Sequence, residues 1–170
     1  MNHKSLLLGV VLVITLVSGC AGPITQITIV RHADIIGGVN PSLTAEGVLR
    51  AEALRDRYAN SNIAAVYSTN ASRTIQTATP IALAHGLEVI TYSRASEVAE
   101  LVLNDHPGEL VVIVGHSNTV GPIAEEFGAD LPAGFSHPID ELDFDNMLLV
   151  LVNADGDASA FHTTYGTASP

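Results

Sequence analysis

A chain of 170 residues with 47% hydrophobic residues has the length and apolar content of one globular domain. Seven Lys and Arg stand against 18 Asp and Glu, a net charge of -11, so the surface repels nucleic acid and anionic headgroups, and any anion site must be local. The one lysine is Lys4, so every later cation is an arginine.

The first residues separate from the fold. Met1 to Lys4 form a short basic start, and 5–17 is an unbroken apolar run of signal-peptide length, too short for a comfortable membrane span. It ends in Val17-Ser18-Gly19-Cys20, which resembles the lipobox of bacterial lipoproteins. That resemblance implies cleavage before Cys20, lipidation of its thiol, and an exported, membrane-anchored protein facing the periplasm or the cell exterior. The expected organisation is a signal peptide at 1–19, a lipidated tether at 20–23 and a domain at 24–170. A lone cysteine also excludes an intramolecular disulfide.

In chain order, 24–30 reads as a strand apolar on both faces at its end, as suits the middle of a parallel sheet, and it runs into Arg31 and His32. The loop 34–42 carries Gly37-Gly38 and Asn40-Pro41, turn residues that can frame a pocket. Thr44 is a cap for a helix over 45–58, with Val48, Ala51, Leu54 and Tyr58 inward and Arg50 among the outward residues. A strand at 64–68 leads through Thr69-Asn70-Ala71-Ser72 into a helix at 73–85, where Pro80 predicts a kink or a late start.

A strand at 88–92, a helix at 95–104 with Val98, Leu101 and Val102 inward, and a strongly apolar strand at 110–114 follow. Gly115 to Thr119 then opens a short helix reaching about Phe127, and 128–145 reads as irregular. Segments 146–152 and 159–164 form an edge hairpin. Asp155 and Asp157 resemble a calcium loop only superficially, a turn being the simpler reading. Strand and helix alternate four times, so the fold class is α/β, a three-layer α/β/α with a mostly parallel central sheet.

In open α/β sheets, ligands bind beyond the carboxyl ends of the strands. Arg31, His32, Arg73 and His116 all follow predicted strands and can meet at that rim. Arg73 in a first helical turn opposes the helix dipole, which a bound anion would reconcile. Guanidinium forks match phosphate oxygens, and a neutral imidazole between cations is a competent nucleophile. Adjacent arginines would repel a metal ion bound by the two imidazoles. His85, His106, His137 and His162 read as ordinary surface or core histidines, the first two near helix carboxyl ends.

Four motifs carry a resemblance. Ile29-Val30-Arg31-His32-Ala33, Leu43-Thr44-Ala45-Glu46-Gly47, Ser72-Arg73-Thr74 after Tyr67-Ser68-Thr69, and Val114-Gly115-His116-Ser117-Asn118 resemble the histidine phosphatase superfamily, of phosphoglycerate mutase-like fold. The resemblance implies a metal-independent phosphatase that needs no cofactor and acts on a small phosphorylated molecule. In it His32 is the phosphoryl acceptor, Arg31 and Arg73 clamp the phosphoryl oxygens, and His116 donates a hydrogen bond to them in the transition state.

Members with strong activity place a proton-donating carboxylate in an insertion after the second arginine, or directly after the second histidine. Here Ser117 follows His116 and the stretch 92–100 is short, so Glu97 and Asp34 are the donor candidates. A missing donor fits small members resembling bacterial phosphohistidine phosphatases. Those act on cytosolic phosphoproteins, so that substrate does not carry over to an exported chain. The alternative function is a non-catalytic lipoprotein that binds phosphate or a phosphorylated ligand.

Overall fold

The computed structural model describes residues 22–169. The predicted signal peptide and Cys20 lie outside them. In chain order the elements are β1 (Thr25–Arg31), α1 (Ala45–Arg57), β2 (Ile63–Thr69), α2 (Ser72–Ala84), β3 (Val89–Tyr92), α3 (Ala95–Asp105), β4 (Leu110–Gly115), α4 (Val120–Glu126), β5 (Asn146–Val152) and β6 (Ala158–Thr164). The strands form one sheet in the order β3-β2-β4-β1-β5-β6. The pairs β3·β2, β2·β4 and β4·β1 are parallel, whereas β5 lies antiparallel to both β1 and β6. The sheet is therefore mixed, mostly parallel, with its antiparallel part confined to the closing hairpin.

Alternation of side chains along each strand divides the core into two layers. Ile27 and Ile29 join Ile113 and Leu148 beneath α3 and α4, which contribute Val98, Val102, Val120 and Ile123. On the other face Val30, Val66, Val112 and Val114 pack against Leu54, Ala78 and Ile81 of α1 and α2. From Ile27 onward β1 is buried on both faces, which is why its end is apolar on both sides.

Several local expectations change. In α1, Ala51 and Leu54 are buried but Val48 is about half exposed, and Arg50, expected outside, is buried. The segment after β6 crosses α1 at this point. Arg50 Nη1 donates to the carbonyls of Tyr165 and Thr167, and its Nε donates to Asp34 Oδ2 at 2.6 Å, which compensates the buried charge.

The helix α2 begins at Ser72 and continues through Pro80, which lacks only the N–H that would bond Gln76. Its own N-cap residue, Ala71, supplies no side-chain bond; Asn40 does so from a distance, accepting the Ser72 N–H at 2.9 Å. The last helix starts at Val120, later than expected, because Thr119 Oγ1 bonds the His116 N–H and closes a turn first. In the β5–β6 turn, Asn153 Oδ1 accepts the N–H groups of Asp155 and Asp157, and Asn153 Nδ2 donates to the Asp157 carboxylate. That network accounts for Asp155 and Asp157 as turn residues.

Candidate active site

Three neighbouring strands, β2, β4 and β1, end at one rim. The parallel register sets Arg31 beside Gly115 and Ser68 beside Val114, so the residues that follow emerge together. The His32 N–H donates to the Gly115 carbonyl at 2.9 Å, carrying the β1–β4 pairing one residue past the strand. Gly115 is required where it stands, because a side-chain carbon there would come within 2.6 Å of Thr119 Oγ1.

His32 and His116 face each other edge to face, with ring centroids 5.6 Å apart. His32 Nδ1 lies 2.9 Å from the Ala33 carbonyl, an acceptor only, so Nδ1 carries the proton and Nε2 the lone pair. Ala33 is itself fixed by donating its N–H to Thr77 Oγ1, which donates in turn to the Arg73 carbonyl. Arg73 Nη2 donates to His116 Nδ1 at 3.2 Å, so the proton of neutral His116 sits on Nε2 and is donated to Thr69 Oγ1 at 2.9 Å. Thr69 passes the chain to Thr74, whose hydroxyl reaches the Ala71 carbonyl.

Burial lowers the pKa of His32 to about 4, with the charges of Arg31 and Arg73 and neighbouring His116 adding to the effect and the Ala33 carbonyl opposing it. His116 is lowered to about 4 by burial, then by Arg73 and Arg31. Both imidazoles are neutral at pH 7.

A pocket of about 390 Å³ opens over these groups, and its lining includes His32, Arg73, His116, Ser117, Asn118 and Glu141, with Gly37, Gly38 and Pro41 at the loop side. Arg31 lies behind this wall, 2% exposed. Its Nη1 donates to the carbonyls of Asp140 and Asp143, its Nη2 to Glu141 Oε2 at 3.0 Å, and Phe144 lies 4.2 Å from the guanidinium carbon. The Nε atoms of Arg31 and Arg73 are buried without partners. Two unpaired donors beside two neutral imidazoles, with no acidic residue in the first turn of α2, make an anion-seeking arrangement.

The donor candidates read from the sequence lie elsewhere. Glu97 accepts the Ser93 N–H at 2.9 Å and caps the start of α3. Asp34 takes both Nε and Nη2 of Arg50 and is absent from the pocket lining. His85, His106, His137 and His162 are also absent from it. The carboxylate that does reach the pocket, Glu141, stands in the stretch read only as irregular. Its signal is the pattern Ile139-Asp140-Glu141-Leu142-Asp143-Phe144, in which buried Ile139 and Phe144 anchor an acidic loop directly before a strand.

Residues 27–94 match the family model described as Histidine phosphatase superfamily (branch 1), a span that holds all but the first two residues of β1, then α1, β2, α2 and β3, with the residues Arg31, His32 and Arg73. No curated protein matches the chain in sequence. Among solved structures, the chain is similar to a mycobacterial glucosyl-3-phosphoglycerate phosphatase, with 14% identity over 85% of this chain and 100% of that one and a TM-score of 0.64. It is similar to a candidate phosphohistidine phosphatase SixA from Agrobacterium tumefaciens, with 17% identity, 84% and 97% coverage and a TM-score of 0.55. The third is a phosphoserine phosphatase from Entamoeba histolytica, with 15% identity, 85% and 98% coverage and a TM-score of 0.57. At such identities the likeness establishes a shared phosphoglycerate mutase-like fold.

Proposed function

We propose that the chain is a phosphatase of the histidine phosphatase superfamily, acting on a small phosphorylated molecule through a phosphohistidine at His32, without a metal ion. The observation that carries this reading is the fixed tautomer of His32: the Ala33 carbonyl holds the proton on Nδ1 and leaves the Nε2 lone pair for phosphorus. Guanidiniums beside the imidazoles repel a divalent cation and attract a phosphoryl dianion.

A phosphoryl group in the pocket meets Arg73, which lines it, while buried Arg31 adds its positive charge from behind the wall. Its negative charge favours protonation of His116, and Nδ1–H then donates to a phosphoryl oxygen while Nε2–H stays on Thr69. The bond from Nε2 to phosphorus forms as the bond to the leaving oxygen breaks, and water then cleaves the phosphorus–nitrogen bond. Each such donor contributes on the order of 10² to 10³ in rate. The Cys20 lipobox supports placing the protein on the outer side of a bacterial membrane.

Rapid quenching with radiolabelled p-nitrophenyl phosphate tests this. Acid-labile, base-stable label is expected on the wild-type chain and none on His32→Ala. Phosphate binding without any label, or turnover that persists in His32→Ala, would overturn the reading in favour of a non-catalytic binder or of another nucleophile.

A further inference from the structure

Phosphoryl capture is accounted for by His32, Arg73 and His116, but none of them can protonate what leaves. His32 is the nucleophile, and His116, with Nε2–H on Thr69 and Nδ1–H given to a phosphoryl oxygen in the step above, has no proton left for the leaving group. The expected carboxylates are used elsewhere, Glu97 as a helix cap and Asp34 as the partner of Arg50. Among the residues lining the pocket, Glu141 is the one carboxylate.

Its position is set by two donors. Ser117 Oγ donates to Glu141 Oε1 at 3.0 Å, and Arg31 Nη2 donates to Oε2 at 3.0 Å. Ser117 directly follows His116, the position at which some proteins resembled by this chain carry their acid. The serine is too short and too weak an acid to replace a carboxylate, but its hydroxyl holds one brought by the loop before β5. The Glu141 side chain is 79% exposed, so solvent can reach it. The loop is anchored by the buried side chains of Ile139 and Phe144 and by the two carbonyls on Arg31 Nη1. The carboxylate is therefore carried on a braced segment.

We propose that Glu141 is the proton donor of the reaction, a role that rests on the phosphatase reading above. In the first half-reaction Glu141, having taken a proton from solvent through its exposed side, gives that proton to the leaving oxygen as phosphorus bonds to His32 Nε2 and the bond to that oxygen breaks. In the second, water attacks phosphorus, the phosphorus–nitrogen bond breaks, and the carboxylate takes the proton released by water. The enzyme returns to its starting protonation state with no further reactant.

A general acid matters in proportion to the basicity of the leaving oxygen, and its loss typically costs about 10² to 10⁴ in rate. Glu141→Gln can keep the Arg31 bond through its amide oxygen and replace the Ser117 bond by one its amide N–H donates to Ser117 Oγ, but it cannot donate the acid proton. Steady-state kcat/KM is measured for wild type and Glu141→Gln on ethyl phosphate, phenyl phosphate and 2,4-dinitrophenyl phosphate, with thermal unfolding as a check on folding. A loss of 10²-fold or more on ethyl phosphate that shrinks to a few-fold on the dinitrophenyl ester is expected. An equal loss on all three esters would make Glu141 only a prop for Arg31 and overturn the assignment, as would no loss at all. A wild-type chain inactive on every ester would remove the phosphatase reading itself, whereas an active wild type with a uniform loss removes only the role of Glu141.

Discussion

The paired imidazoles at the rim are held uncharged by burial and by the neighbouring guanidiniums. His32 and His116 titrate near 4 in the folded chain, against about 6.5 in an unfolded one. Between those values the unfolded chain binds more protons, so stability rises with pH across this window. The contribution is complete above about pH 6.5 and is lost as pH falls toward 4, at up to about 3 kcal/mol for buried His32 and less for half-buried His116, whose charge solvent screens. Thermal midpoints measured from pH 7 to 4 should fall accordingly, and a chain carrying both His32→Asn and His116→Asn should show a shallower decline. Proton NMR of the ring C–H groups should place both midpoints near 4. Inorganic phosphate should move them upward, because the dianion stabilises imidazolium. Midpoints near 6.5 in the free protein would contradict the buried, cation-flanked geometry.

Elements explain why certain sequence motifs have the residues they do. Gly47, in the first turn of α1, faces the Asp34 backbone so closely that a side-chain carbon would fall on the Asp34 carbonyl. In an open helix Gly→Ala stabilises by about 1 kcal/mol. Here Gly47→Ala should instead destabilise by about 1 to 3 kcal/mol, because backbone rather than a flexible side chain must give way. Denaturant midpoints will check the sign. A stabilised variant would mean that the 34–44 loop moves freely relative to α1.

The same scale shows what the sequence made legible. Period-two and helical patterning marked all ten elements within a few residues, because most of the core comes from strongly apolar strands and clear helix stripes. The burial of Arg50 was not legible, since it depends on a distant segment, 165–167, crossing α1. Asn40 as the cap of α2 was hidden for the same reason, lying 32 residues from Ser72. At the site, His32, Arg73 and His116 could be read from strand endings. Glu141 could not, because an acidic loop in an acidic chain carries no periodic signal.

Across the whole molecule, a strongly anionic chain surrounds a pocket lined by a cation, so on the proposed function highly charged phosphates are expected to be disfavoured at long range relative to singly phosphorylated ones. Among the described residues no helix is long and apolar enough to cross a membrane. The proposed attachment rests on the lipobox resemblance at Cys20, and stable attachment takes two or more acyl chains. In a bacterial host, metabolic labelling with a fatty acid should mark the wild-type chain and leave it in the membrane fraction. Cys20→Ala should lose both label and membrane association. An unlabelled wild type would remove the anchor from the proposal.

The direction of β1 then acquires a mechanical meaning. The strand enters the sheet at Thr25, where Pro23 lies among Pro107, Gly108 and the β5–β6 turn, and it leaves at Arg31 beneath the pocket. Seven residues of extended chain separate those ends, roughly 23 Å at the usual rise per residue. A chain tethered a few residues before Thr25 would stand on the bilayer like a post, with its mouth at the top. On the proposed anchor, such a posture would favour molecules diffusing in the aqueous space over phosphates lying in the plane of the headgroups.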